Sequence, residues 1–331
     1  MRLSVLDQSP IAEGSTGGQA LRNSVDLARL TESLGYSRYW VAEHHGMPML
    51  ASAAPEILIA EIAAVTERIR VGSGGVMLPH YSPFKVAETF SILGGLHGDR
   101  IDLGIGRAPG SDRETMYALQ RDRRQVSPDD FPEQLTELLA YVEDDFPPDH
   151  LFARLATLPG APGKPDVWLL GSSPQSAIWA GQLGLPYSIA DFINPGGAEN
   201  ARLYRERFEP SRRRQAPELS VCVSAICAET QEEAERLAAS TRMAITLLRR
   251  GRLIAVPPVE QALAFFEQPG ESDAASGRRL VVGTPEIVRA GLEQVAAEYG
   301  AEEVLVVTIT HDHEARRRSY ELIADAFELA R

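Results

Sequence analysis

Short apolar runs alternate with helical patterns along almost the whole chain, and this alternation limits the possible folds most strongly. Because parallel strands are buried on both faces and need a helix between them, the pattern predicts consecutive βα units. Eight units favour a closed (β/α)8 barrel of the TIM type, as a single domain over 1–331. The predicted strands are 2–6, 38–42, 69–77, 101–105, 166–170, 187–190, 219–227 and 303–309.

An open, doubly wound sheet is the main alternative to the barrel. It is disfavoured because no G-x-G-x-x-G motif follows the first strand. The segment 250–283 interrupts the alternation before the eighth strand and contains the turn-forming pairs Pro257-Pro258 and Pro269-Gly270. Thr284-Pro285-Glu286 then has the pattern of a helix start. A long insertion of this kind is either an active-site lid or a disordered excursion, and the sequence favours neither.

Composition excludes several classes of partner. The 331 residues are 44% hydrophobic and 24% charged, which is an ordinary globular balance, and the net charge of −13 argues against binding to nucleic acid. No signal peptide and no apolar stretch of membrane-spanning length is evident, so we expect a cytoplasmic protein without a membrane partner. Cys222 and Cys227 lie an odd number of residues apart in one predicted strand, so we expect no disulfide between them.

Two adjacent histidines follow the second predicted strand, in the stretch 40–46. The active sites of TIM barrels lie at the carboxyl ends of the strands, and imidazoles beside Glu43 suit proton transfer near neutral pH or metal binding. Adjacent residues of an extended chain point to different sides, so His44 and His45 rarely bind one ion together. His80 and Glu43 could complete a metal site, but the spacing matches no common ligand pattern, and we predict none.

Three further strand ends carry candidate binding groups. Consecutive glycines in 72–75 either let a flat ring approach the backbone or serve barrel packing. Arg107 ends the fourth strand amid glycines and is either a phosphate-binding cation or a surface residue. Ser172-Ser173-Pro174 reads as the start of a helix whose free N–H groups could bind an anion, although a plain helix cap has the same sequence.

The chain contains four motifs in the order Trp40 to Gly46, Arg70 to Pro79, Asp99 to Arg107, and Gly171-Ser172-Ser173. Together they resemble the luciferase-like monooxygenase class of flavin-dependent oxidoreductases, which includes the alpha subunit of bacterial luciferase. The resemblance is collinear over about 1–210 and looser through 283–286 to the C-terminus. The opening Leu6-Asp7-Gln8-Ser9-Pro10 is similar to a bacterial subgroup of the class.

The resemblance implies a TIM barrel that binds reduced FMN, or the deazaflavin F420 in some relatives, at the strand ends. The implied chemistry is oxidation of a small organic substrate with O2, with electrons from a separate flavin reductase. Relatives commonly form dimers. The matching positions are His44 as the catalytic base, His45 beside the flavin ring, Gly74 and Gly75 at a cis peptide against the flavin, and Arg107, Ser172, Ser173 and Ser176 at the phosphate.

The chain departs from luciferase at three places. Gly106 replaces a reactive cysteine, Ser172 replaces a glutamate, and 250–283 is too dissimilar for the mobile loop of luciferase to be carried over. Light emission is therefore not implied. An F420-dependent dehydrogenase, a non-catalytic flavin-binding protein of the same fold and a metal-dependent hydrolase are the alternatives.

Overall fold

The computed structural model describes residues 1–107, 113–120, 130–160, 163–271 and 277–330, and the centre of this part is a parallel β-barrel. β1 to β7 each pair with the next strand, and β9 pairs with both β7 and β1, which closes a barrel of eight strands. The strands are β1 (Arg2–Asp7), β2 (Arg38–Val41), β3 (Arg70–Met77), β4 (Ile101–Gly106), β5 (Asp166–Gly171), β6 (Tyr187–Ala190), β7 (Leu219–Cys227), β8 (Leu280–Gly283) and β9 (Glu303–Val307).

Helices separate the strands and cover the outside of the barrel. Within the described ranges, none of them is both long and apolar enough to cross a membrane. They are α1 (Gly17–Ser33), α2 (Pro55–Ala64), α3 (Pro83–His97), α4 (Arg113–Leu119), α5 (Phe131–Glu143), α6 (Pro174–Gln182), α7 (Ala198–Glu206), α8 (Gln231–Arg249), α9 (Val259–Phe266), α10 (Pro285–Tyr299) and α11 (His313–Ala326).

The predicted (β/α)8 barrel is confirmed, with all eight strands at their expected places. The inserted segment 250–283 differs from the expectation because its described part contains α9 and β8. β8 pairs with Ser224–Cys227, the end of β7. This pairing is possible because β7 has nine residues whereas β6 has four, so β7 extends beyond its neighbour. Residues 272–276 of the insertion lie outside the described part.

Two tryptophans fill the barrel interior below the strand ends. Trp40 and Trp168 are fully buried and meet edge to face, with ring centroids 5.3 Å apart. Gly74 faces the same interior, where an added Cβ would lie 2.4 Å from Leu6 Cδ1. Bulky side chains from two strands are thus accommodated by a residue without a side chain on a third strand. Packing alone therefore accounts for part of the glycine-rich sequence of β3.

Buried charges form an ion-pair network at the amino-terminal end of the barrel. The Arg38 guanidinium lies 2.8 Å from Asp102 and 2.7 Å from Glu303, and Trp40 Nε1 donates to Asp102 at 2.9 Å. Arg70 also contacts Asp102, at 2.5 Å. Burial alone would lower the pKa of Arg38, but the two carboxylates outweigh burial and raise the pKa. This network joins β2, β3, β4 and β9 at the amino-terminal end of the barrel.

Candidate active site

A cavity of about 480 Å³ opens at the carboxyl ends of the strands, where the sequence predicts the site. Seven of the eight predicted site residues line this cavity, while His45 does not. The carboxyl ends of four different strands, β2 to β5, therefore converge on one pocket, although these residues are far apart in the sequence. The seven residues are His44, Gly74, Gly75, Arg107, Ser172, Ser173 and Ser176.

One wall of the cavity is backbone rather than side chains. The Gly74–Gly75 peptide is cis, as the resemblance implies, and the pairing of β3 with β4 shifts register between Ser73 and Val76. A Cβ added to Gly75 would lie 2.7 Å from the carbonyl oxygen of Gly104. The bulge and the glycines leave a flat backbone surface, which suits a planar ring.

The opposite end of the cavity has groups that favour an anion. Arg107 is exposed and lies over the Trp179 ring at 5.6 Å from its centroid. Ser173 caps α6, and its Oγ accepts from Ser176 N at 3.3 Å. The first backbone N–H groups of α6, the helix dipole and the Arg107 cation all favour negative charge there. Ser176 Oγ already bonds with the Tyr187 hydroxyl at 2.8 Å, so Ser172 and Ser173 are the more accessible serines.

His44 follows β2 and lies on the cavity wall, with one ring nitrogen that has no hydrogen-bond partner in the described part of the chain. Its Nδ1 is buried and has no hydrogen-bond partner among the residues that the structure describes. Burial is the largest cause that lowers the pKa of His44 to about 4; Glu43 raises it, and His45 and Arg278 lower it further. At neutral pH His44 is therefore an uncharged imidazole that can accept a proton.

The second histidine of the pair, His45, lies behind this wall, where Glu43 holds it. His45 Nε2 lies 2.7 Å from Oε1 of Glu43, a fully buried carboxylate. Glu43 also accepts from Met77 N and from the Tyr81 hydroxyl, both at 2.9 Å. Glu43 thus connects the end of β2 with the end of β3. In this arrangement His45 contributes to the shape of the site, and it does not reach the cavity surface.

Several lining residues were not predicted from the sequence. Gln8 directly follows β1, and the same strand-end argument that selected His44 could have selected it. Cys222 faces the cavity from β7, and burial raises the pKa of its thiol to about 12, so it is not a thiolate. The aromatic and apolar lining residues gave no distinguishing signal, because buried core positions have the same composition. They include Phe131, Trp179, Phe192 and Ile193.

The structure also bears on the metal alternative and the cysteines. Within the described residues, no group of three or more His, Cys, Asp or Glu side chains is placed to hold a metal ion. Both cysteines are buried and free.

A second cavity of about 370 Å³ adjoins the first. The two cavities share Gln8, His44, Phe192 and Ile193, whereas the serines and Arg107 line the first alone. The second cavity therefore meets the first beside His44, away from the anion-binding end.

Comparison with known proteins agrees with this geometry. The profile of the luciferase-like monooxygenase family matches residues 1–303. An N-acetyl-S-alkylcysteine monooxygenase of Bacillus subtilis is 39% identical over 98% of each chain. The crystal structure of apo-MsnO8 is 44% identical and superposes with a TM-score of 0.92 over 99% of this chain and 98% of the other.

A more distant solved structure shares the fold. It is the oxygenating constituent of 3,6-diketocamphane monooxygenase from Pseudomonas putida, in complex with FMN. Its TM-score is 0.74 at 19% identity, over 98% of this chain and 97% of the other.

Proposed function

Because the chain belongs to the luciferase-like monooxygenase family, we propose that it uses reduced FMN and O2 to oxidise a small organic substrate. One observation carries the proposal: a single cavity combines a flat glycine wall, an anion-binding end and the neutral base His44. These are the three features that a phosphorylated flavin and its proton transfer require. The absence of a nicotinamide-binding motif supports a separate flavin reductase as the source of electrons.

The residues present fit FMN at both ends. Gly74 and Gly75 would face the ring, while Arg107, Ser172 and Ser173 would hold the phosphate with the first N–H groups of α6. When bound, reduced FMN supplies the two electrons that activate O2. The protein binds, orients and shields the reacting groups.

His44 is the proposed catalytic base. Its low pKa keeps the imidazole uncharged at neutral pH, and Nδ1 lacks a competing partner in the described part of the chain. The neutral ring can take a proton from the substrate or flavin and return it later. The apolar residues Leu6, Phe192 and Ile193 line the same cavity and would exclude water from that exchange.

The test supplies chemically reduced FMN in place of a reductase. The protein is mixed with reduced FMN, ¹⁸O2 and a panel of small organic substrates that includes N-acetyl-S-alkylcysteines, in view of the relative of that name. We expect mass spectrometry to detect one ¹⁸O atom in a product. Titration with FMN, riboflavin and F420 accompanies the assay. Preferential F420 binding with hydride transfer and no ¹⁸O uptake would replace the monooxygenase with a dehydrogenase.

We also propose that the protein forms a homodimer through its barrel helices. Apolar side chains are exposed on the neighbouring helices α2 and α3, and this supports the proposal, because a contact between subunits would bury them. Ile57 and Leu96 are 71% and 70% exposed. Sedimentation of the wild type and of the double variant Ile57→Lys, Leu96→Lys tests the proposal: the variant should sediment as a monomer.

A further inference from the structure

We propose that the second cavity binds the substrate, that the substrate combines an apolar chain with a carboxylate, and that Arg278 binds the carboxylate. This rests on the proposed function, because a flavin in the first cavity makes the second one a substrate site. It goes further by naming the substrate class and a residue that selects it.

The position of the second cavity matches that of a reacting substrate. Both cavities border His44 and Gln8, so a molecule in the second would lie beside the proposed base. None of Arg107, Ser172 or Ser173 lines the second cavity. A ligand there would consequently meet the ring of a bound flavin rather than its phosphate.

The walls of the second cavity favour an apolar ligand with one anionic group. The described residues that line it include no Asp or Glu, and Arg278 is the one permanent cation among them. An apolar chain would bind more tightly because the apolar side chains of this cavity would remove it from water. These side chains are Met47, Met49, Leu50, Leu248 and Leu253.

The Arg278 guanidinium has a buried nitrogen without an acceptor among the described residues. Its Nε is buried, and the described part of the chain provides no hydrogen-bond partner for it. Burial, followed by the positive charge of Arg249, lowers the pKa of Arg278, and no carboxylate of the described residues opposes these effects. The neighbouring Arg279 differs, because it pairs with Glu298 at 2.8 Å and Asp191 at 3.4 Å.

This contrast between adjacent arginines points to a ligand. A buried donor without a partner is costly, so such a group calls for an explanation, and a bound ligand that supplies the acceptor is one. A carboxylate would supply two parallel acceptors for the planar fork of Arg278. The same carboxylate would fix the apolar chain in the cavity beside His44.

The experiment measures binding and requires no turnover. Hexanoate and hexanamide have the same chain length, and isothermal calorimetry measures their dissociation constants with FMN-loaded and FMN-free protein. We expect hexanoate to bind at least tenfold more tightly than hexanamide to the wild type. Arg278→Gln should reduce this ratio below about twofold, and Arg278→Lys should give an intermediate ratio because it keeps the charge and loses the fork.

Arg252→Gln is the matched control. It removes one positive charge from the same segment, but Arg252 is exposed and does not line the cavity, so the wild-type ratio should persist. Equal binding of hexanoate and hexanamide to the wild type would overturn the proposal. An unchanged ratio in Arg278→Gln would also overturn it. So would an Arg278→Gln variant that binds FMN more weakly and keeps the wild-type preference for hexanoate. A protein that binds no FMN but keeps the ratio would refute the proposed flavin function and leave the carboxylate site standing.

Discussion

Buried charged and polar groups differ between the two ends of the barrel in whether they have partners within the protein. At the amino-terminal end, Arg38 is 3% exposed and meets Asp102 and Glu303 at 2.8 and 2.7 Å. At the carboxyl end, His44 Nδ1 and Arg278 Nε are buried without a partner in the described part of the chain. At the first end, the protein itself pairs every one of these charges; Glu303 Oε2 has no hydrogen bond among the described residues, but it lies 3.3 Å from the Arg2 guanidinium. The second end retains polar groups that a ligand can satisfy.

Position along the strand does not by itself explain this difference. Asp7 ends β1, near the cavity, yet it pairs with the buried Arg316 at 2.6 Å and accepts from the Tyr39 hydroxyl. Burial alone would raise the pKa of Asp7, but Arg316 and these hydrogen bonds lower it. Asp7 does not line the cavity, whereas its neighbour Gln8 does. The direction of the side chain therefore decides whether a polar group has a partner within the protein.

The largest expected effect is on stability at the amino-terminal end. Arg38→Met leaves two buried carboxylates without their shared cation, and breaking a buried ion pair in this way costs about 3–5 kcal/mol. Urea denaturation at pH 7 should show this loss in the free energy of unfolding.

Arg2→Met is the control for that loss. Arg2 also contacts Glu303, at 3.3 Å, but its side chain is 45% exposed, so its removal should cost less than about 1 kcal/mol. Similar losses in both variants would mean that the Arg38 network is no more important than a surface ion pair.

The next effect is on turnover at the carboxyl end. General acid–base catalysis contributes about 10²–10⁴-fold, so His44→Ala should lower product formation with reduced FMN at least a hundredfold. FMN affinity should change less than about tenfold, and flavin oxidation should continue with release of peroxide. His97→Ala serves as the control: His97 is the last residue of α3, and this variant should have normal turnover. Wild-type product yield in His44→Ala would exclude His44 as the base.

The sequence predicted the fold and the location of the site better than the connections between residues. Alternation of strands and helices is a local pattern, so eight strands and the strand-end positions of His44 and Arg107 could be derived from it. The role of Glu43 in holding His45 depends on contacts with Met77 and Tyr81, which no local pattern reports. α9 and β8 were missed because the insertion is rich in turn residues and β8 has four residues.

Arg278 illustrates the same limit. Arg278 and Arg279 are identical residues at adjacent positions, and in the folded chain only Arg279 has carboxylate partners among the residues that the structure describes. A sequence pattern cannot distinguish an arginine that is paired from one that is available to a ligand. Such a distinction needs the three-dimensional positions of residues as distant as Asp191 and Glu298.

A smaller effect is expected on cofactor affinity, and it distinguishes the phosphate end of the first cavity from the ring end. Arg107→Ala should weaken FMN binding by about 1.5–3 kcal/mol, which is the range for a hydrogen bond to a charged group. Riboflavin lacks the phosphate, so its affinity should stay nearly the same. Fluorescence titration with both ligands measures the difference. An equal loss for FMN and riboflavin would place Arg107 at the ring instead.

The smallest effect is a pH dependence of stability that comes from His44. Its pKa is about 4 in the folded protein, against an ordinary value of 6.5. Between these values the unfolded chain binds more protons, so the free energy of unfolding falls as the pH decreases from 6.5 towards 4. His44→Asn cannot titrate, and between pH 7 and 4.5 it should lose about 1–2 kcal/mol less than the wild type. Urea denaturation of both proteins at these two pH values isolates His44, because the carboxylates titrate alike in each. Identical losses would mean that water reaches His44 freely, and the contrast between the two ends of the barrel would then rest on Arg278.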